Sequence, residues 1–115
     1  PEYLSPYKKE LVYSLSEITQ KEVRWHLAQI YGYMDLTKNE KNDVFEILVD
    51  FIETSDSKIV TTFSLQTLSD IARDYTEIRP KVIKIIENHI RISSPAIKSR
   101  GKKLLKALRE LNNEN

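Results

Sequence analysis

Apolar residues return along this chain at three- and four-residue intervals, the spacing of an amphipathic helix. Val44, Phe45, Ile47, Leu48, Phe51 and Ile52 make one such stripe, and thirty-eight residues later Val82, Ile83, Ile85, Ile86, His89 and Ile90 repeat it with five of six positions apolar. The connectors repeat too, Thr54-Ser55-Asp56-Ser57 answered by Ile92-Ser93-Ser94-Pro95 with no insertion between the paired runs. An aligned helix followed by an aligned connector is the mark of a tandem helical repeat.

Caps and prolines cut the rest of the chain at similar intervals. Ser5-Pro6 reads as an N-cap followed by proline at the first helical position, and predicts a helix over 6–18 burying Leu11, Val12, Leu15 and Ile18. Thr19-Gln20-Lys21-Glu22 reads as a capping box opening a helix over 20–35, with Val23, Leu27, Ile30, Tyr31 and Met34 on its apolar stripe. Thr37-Lys38-Asn39-Glu40 is a second capping box, before a helix over 38–54. Ser57 caps a helix over 58–75 that buries Val60, Leu65, Leu68, Ile71 and Ala72 but carries the poor helix formers Thr61 and Thr62 in its first turns. Pro80 opens a helix over 80–92, and Ser94-Pro95 one over 95–111 with Ile97, Leu104, Leu105, Leu108 and Leu111 inward. Six helices joined by very short links predict an all-α fold of antiparallel pairs.

Composition agrees with this. The 115 residues include two glycines and four prolines, 40% hydrophobic and 30% charged residues, which favours helices over a turn-rich sheet. The length suits a single domain, 1–115, or a piece of a longer one. There is no cysteine, which excludes a disulfide framework, a thiol nucleophile and a thiolate zinc site and fits a cytoplasmic location. No apolar run approaches the length of a membrane span, and Pro1-Glu2-Tyr3-Leu4 does not read as a signal peptide.

With two helices in each period of 36 to 38 residues, the chain resembles the HEAT repeat family over essentially its whole length. Val23-Arg24 followed by Leu27, Ala28 and Ile30 fits the Val-Arg pair that the family favours in the first helix of a repeat. Ile97-Lys98 is a looser echo, and Thr61-Thr62 departs from the pattern. Armadillo repeats match less well, and the tetratricopeptide pattern is absent. The resemblance implies a right-handed α-α superhelix, a HEAT-like solenoid. The helices over 6–18, 38–54 and 80–92 would line its inner wall. Both ends would be open, as in a fragment, a self-associating solenoid, or a stack whose end helices double as caps.

Charge is uneven although the net is +1: residues 1–57 carry −5 and residues 58–115 carry +6. The repeat offset sets Asp43 level with Lys81, Glu46 with Lys84, Glu53 with Arg91 and Lys9 with Glu46, which predicts a ladder of structural pairs. In the last helix Lys98, Arg100, Lys102, Lys103, Lys106 and Arg109 face only Glu110 nearby. Such a stripe would hold phosphate or an acidic protein surface, or serve as a solvated end cap. It lacks base-stacking aromatics, so as a nucleic-acid site it would grip backbone without reading sequence.

Trp25, Gln29 and Tyr33 lie opposite the Val23 stripe, and Trp with Tyr on a polar surface is a common interface anchor. The alternative is that Trp25 fills the groove toward an adjacent outer helix, above Ala28 and Gly32. Gly101 occupies the position of Leu27 and Leu65 in other repeats and predicts a close approach between helices.

Catalysis is not expected. His89 takes the place of Phe51 on a buried stripe, and His26 has no carboxylate three or four residues away. The His-Glu dipeptides of HEAT-like iron hydroxylases are missing. HEAT-like glycosylases that remove alkylated bases are the better enzyme comparison, but one turn beyond Trp25 stands Gln29, not an acid. No metal site, cofactor or phosphate loop is indicated. The sequence therefore predicts a non-catalytic scaffold that binds protein, with nucleic-acid backbone binding through the basic last helix as the alternative.

Overall fold

The structure is a computed structural model that describes residues 6–17, 20–92 and 95–114. It is helical, with no strand among the described residues. Among the described residues five α-helices follow in order: α1 (Lys21–Tyr31), α2 (Lys38–Thr54), α3 (Lys58–Asp74), α4 (Arg79–Ile92) and α5 (Pro95–Glu114). Packing divides the chain into two compact units, Pro1–Thr67 and Leu68–Asn115, with the boundary inside α3.

The expected span 38–54 is α2, and 58–75, 80–92 and 95–111 differ from α3, α4 and α5 by one to three residues at one end. Thr37 closes a full capping box, its Oγ1 accepting the Glu40 N–H while Glu40 Oε1 accepts the Thr37 N–H. Ser57 Oγ accepts the Val60 N–H at the start of α3. There Thr61 and Thr62 direct their hydroxyls onto the carbonyls of Ser57 and Lys58, so these weak helix formers stay inside the helix by bonding one turn back. The proposed caps Thr19 and Ser94 lie outside the described residues, as does Ile18. The observed N-cap of α1 is Gln20, which makes no side-chain capping bond.

Two expected spans need correction. The span 6–18 is not a regular α-helix: a π-helical turn covers Glu10–Ser14 and a 3-10 turn Leu15–Glu17. The Leu15 N–H reaches back five residues to the Glu10 carbonyl. The Leu11 carbonyl, which an α-turn would give to Leu15, instead accepts the buried Tyr31 hydroxyl at 2.6 Å. A side chain from α1 has thus taken one rung of the ladder, a recognised cause of a widened turn. The span 20–35 ends early, at Tyr31. Gly32, Tyr33 and Met34 each bond to the carbonyl three residues back, which tightens the last turn and stops the helix.

In the first unit, α1 is rotated from its expected face. Arg24, Leu27, Ala28 and Tyr31 are buried, whereas Val23, Ile30 and Met34 are half-buried. The Arg24 side chain is only 5% exposed; its guanidinium lies 4.8 Å from the Phe51 ring centroid and donates to Thr54 Oγ1 at 2.7 Å, with Asp50 at 3.7 Å. It therefore sits at the C-terminal end of α2, where a cation suits the helix dipole. On the other side, α1 meets α3: Trp25 stacks on Phe63 with ring centroids 5.3 Å apart, and Thr67 Oγ1 donates to the Ala28 carbonyl. Going from Trp25 to Ala28 and from Phe63 to Thr67 advances along both helices, so α1 and α3 run parallel.

The N-terminal helical segment lies parallel to α2 in the same way. Lys8 pairs with Glu40 at 2.9 Å, and the Tyr13 hydroxyl donates to Asp43 at 2.7 Å. The first rung of the expected charge ladder is therefore shifted, with Lys8 on Glu40 where Lys9 on Glu46 was predicted.

In the second unit, Arg79 is 3% exposed and donates to the Ala72 and Arg73 carbonyls, capping the end of α3. From there α4 and α5 form a hairpin with Val82, Ile86, Ile97, Leu104, Leu105 and Leu108 buried. The pairs Ile90–Gly101 and Glu87–Arg109 step in opposite directions along the two helices, so the hairpin is antiparallel. A Cβ on Gly101 would lie 2.8 Å from Ile90 Cγ1 and 3.4 Å from Ile86 Cγ2. Gly101 is thus a point of close approach between the two helices.

Two outcomes follow. Gly101→Leu inserts four carbons where one barely fits, and is expected to destabilise by about 2–3 kcal/mol in urea unfolding; an unchanged midpoint would contradict the close approach. The Glu40 carboxyl is held below its ordinary 4.5, first by the Thr37 N–H and then by Lys8. A lowered folded value means the carboxylate stabilises the fold above its unfolded value and stops doing so as pH falls through the folded one. Glu40→Gln should therefore cost about 1 kcal/mol at pH 7, and the gap from the parent protein should close below the folded value.

Candidate anion-binding cleft

The hairpin carries a cleft of about 560 Å³ whose wall comes from both helices. From α4 come Lys84, Glu87, Asn88 and Arg91, spaced as i, i+3, i+4 and i+7 and hence on one face. From α5 come Lys102, Leu105 and Arg109, again one face, and Ile90 joins Leu105 as the apolar part of the lining. Four of these side chains are cationic and one is acidic.

The one acid is already engaged, with Arg109 Nη2 2.8 Å from Glu87 Oε2. Arg91 Nη2 donates to Asn88 Oδ1. Lys84 and Lys102 form neither a hydrogen bond nor an ion pair among the described residues, and both are exposed. The cleft thus combines two uncommitted ammonium groups, two guanidinium groups held in place by neighbours, and a small apolar surface. Such a wall attracts anions.

All six basic residues singled out on the last helix are exposed, but they do not form one stripe. At about 100° per residue, Lys98, Lys102, Lys106 and Arg109 share a face about 80° wide, while Lys103 lies about 100° and Arg100 about 160° round from Lys102. Only Lys102 and Arg109 line the cleft. Sequence reasoning missed Lys84 and Arg91 as partners of these two, because it paired them with acids of the preceding repeat. The signal that could have found them is Gly101: once it is set against Ile90, antiparallel register brings the 84–91 face toward the 102–109 face.

The proposed surface on α1 divides similarly. Tyr33 is 64% exposed and Gln29 half-exposed. Trp25 is half-buried between His26, 3.7 Å away by ring centroid, and Phe63. His89 is half-buried, and burial holds its imidazole below the ordinary 6.5. Among the described residues no group of three or more His, Asp or Glu side chains is placed to hold a metal ion, and no helix is long and apolar enough to cross a membrane.

The Arg109–Glu87 pair is exposed on both sides, and such pairs contribute about 0–1 kcal/mol. Arg109→Gln is accordingly expected to change unfolding free energy by no more than about 1 kcal/mol; a larger loss would make the pair structural. Comparison with family models, with curated proteins and with solved structures finds no match to this chain.

Proposed function

We propose that this chain is a non-catalytic protein-interaction scaffold of HEAT-like repeats, its helix pairs stacked as a right-handed α-α superhelix. The observation that carries the reading is the parallel neighbourhood of α1 and α3. Trp25 and Phe63, in ring contact, are thirty-eight positions apart, the same offset that relates Val44 to Val82. Equivalent side chains of successive repeats stack on one another in such an arrangement; the N-terminal segment also runs parallel to α2, but its contacts join residues 30 and 32 positions apart. Stacked helix pairs lay out extended surface, and exposed Tyr33 with half-exposed Gln29 offers an anchor on it.

A second reading is nucleic-acid backbone binding, favoured by the shared face of Lys98, Lys102, Lys106 and Arg109. The lining of the cleft includes no aromatic side chain on which a base could stack. A glycosylase-like activity has less support, since Gln29 stands where a catalytic acid would be sought.

The readings separate by titration. A protein scaffold is expected to show no saturable binding of duplex DNA or single-stranded RNA at low salt in a filter assay. It should bind a purified partner, first identified by affinity capture, with an affinity that Tyr33→Ala weakens by about 1–2 kcal/mol. Nucleic-acid binding that falls steeply with salt, with no protein partner, would contradict the proposal.

A further inference from the structure

We infer that the α4–α5 cleft docks an acidic segment of a partner protein, with carboxylates on Lys84, Lys102 and Arg91 and one apolar side chain seated on Ile90 and Leu105. The inference rests on the protein-binding reading above and adds the site and the chemistry of the occupant.

Charge complementarity selects an anion. The cleft's single carboxylate is already held by Arg109, while Lys84 and Lys102 stand on opposite walls with no partner of their own among the described residues. The volume, about 560 Å³, falls in the range of sites that bury a compact ligand or a few side chains. Ile90 and Leu105 decide the class of anion. A nucleic-acid backbone presents phosphates and sugars and gains little from an aliphatic surface, and no aromatic lines the cleft to receive a base. A peptide that alternates Asp or Glu with Leu satisfies both parts of the lining at once. Its carboxylates meet the ammonium groups at the rim, and its apolar side chain packs on half-buried Ile90 beside the small part of Leu105 that reaches the surface. Arg91 and Arg109 are pre-oriented by Asn88 and Glu87, so less side-chain freedom is lost when the anion arrives.

The test uses the whole chain and three labelled probes in fluorescence anisotropy: a synthetic Asp/Glu peptide with two Leu one helical turn apart, the same peptide with Ser for Leu, and a short duplex DNA. The Leu peptide is expected to bind, at least tenfold more tightly than the Ser peptide and the DNA. Lys84→Glu and Lys102→Glu, both at exposed positions, should each weaken it at least tenfold. Lys103→Glu, the same charge change about 100° round the helix, should leave it within twofold. Equal binding of the Ser peptide, or equal loss from Lys103→Glu, would overturn the inference by reducing the cleft to diffuse positive charge. Absence of binding by every probe would overturn it too, while leaving a scaffold that uses the α1 surface. Preferential binding of DNA, lost with Lys102→Glu, would overturn both this inference and the protein-binding reading.

Discussion

A hydroxyl on α3 donates to a backbone carbonyl on α1, and one turn away an indole lies on a phenyl ring: Thr67 to Ala28, Trp25 to Phe63. These two contacts fix α1 and α3 as parallel neighbours and set their register. A carbonyl inside a helix has one lone pair to spare after its intrahelical bond, and only a neighbour that comes close can use it. Ala28, with a single methyl, permits that approach, and Thr67 supplies the donor. The stripe of α1 turns toward Ala28 for the same reason, so Val23 and Ile30 are half-buried and Arg24 enters the core.

Burying Arg24 would be costly without partners. Its charge is met by Thr54, Asp50 and the face of Phe51, all in the last turn and a half of α2. Arg79 does the same at the end of α3 through two main-chain carbonyls. In both cases a guanidinium sits at the carbonyl end of a helix, beside a connector N–H that bonds back to it, Ser55 to the Phe51 carbonyl and Tyr75 to the Ile71 carbonyl. In the second unit Gly101 completes the arrangement by letting α5 close on α4, and the cleft is the face of that hairpin where long cations stand in place of packed aliphatics.

Local signals carried the all-helical class and the starts of α2 to α5. Thr37 with Glu40, Ser57, Pro80 and Pro95 mark helix starts because capping depends on a few adjacent atoms, and the starts they predict are met within one residue. The N-terminal segment was not legible, because the Leu11 carbonyl beside its π-turn bonds the hydroxyl of Tyr31, twenty residues away. The rotation of α1 was missed for a related reason: hydropathy alone assigns Arg24 to solvent, and only the end of α2 explains its burial. The cleft was half legible. Lys102 and Arg109 stood out as unopposed cations, whereas Lys84 and Arg91 acquire their role from the antiparallel register of the hairpin, a relation between helices that neither helix records alone.

The claim on which the account rests is that equivalent positions of α1 and α3 touch in register. A double-mutant cycle on Trp25 and Phe63, each changed to Ala and followed by urea unfolding, tests it most directly. The account predicts a coupling of about 0.5–1.5 kcal/mol, the range for stacked aromatic pairs. Strict additivity, with coupling below about 0.3 kcal/mol, would contradict it and remove the register from which the repeat reading is drawn.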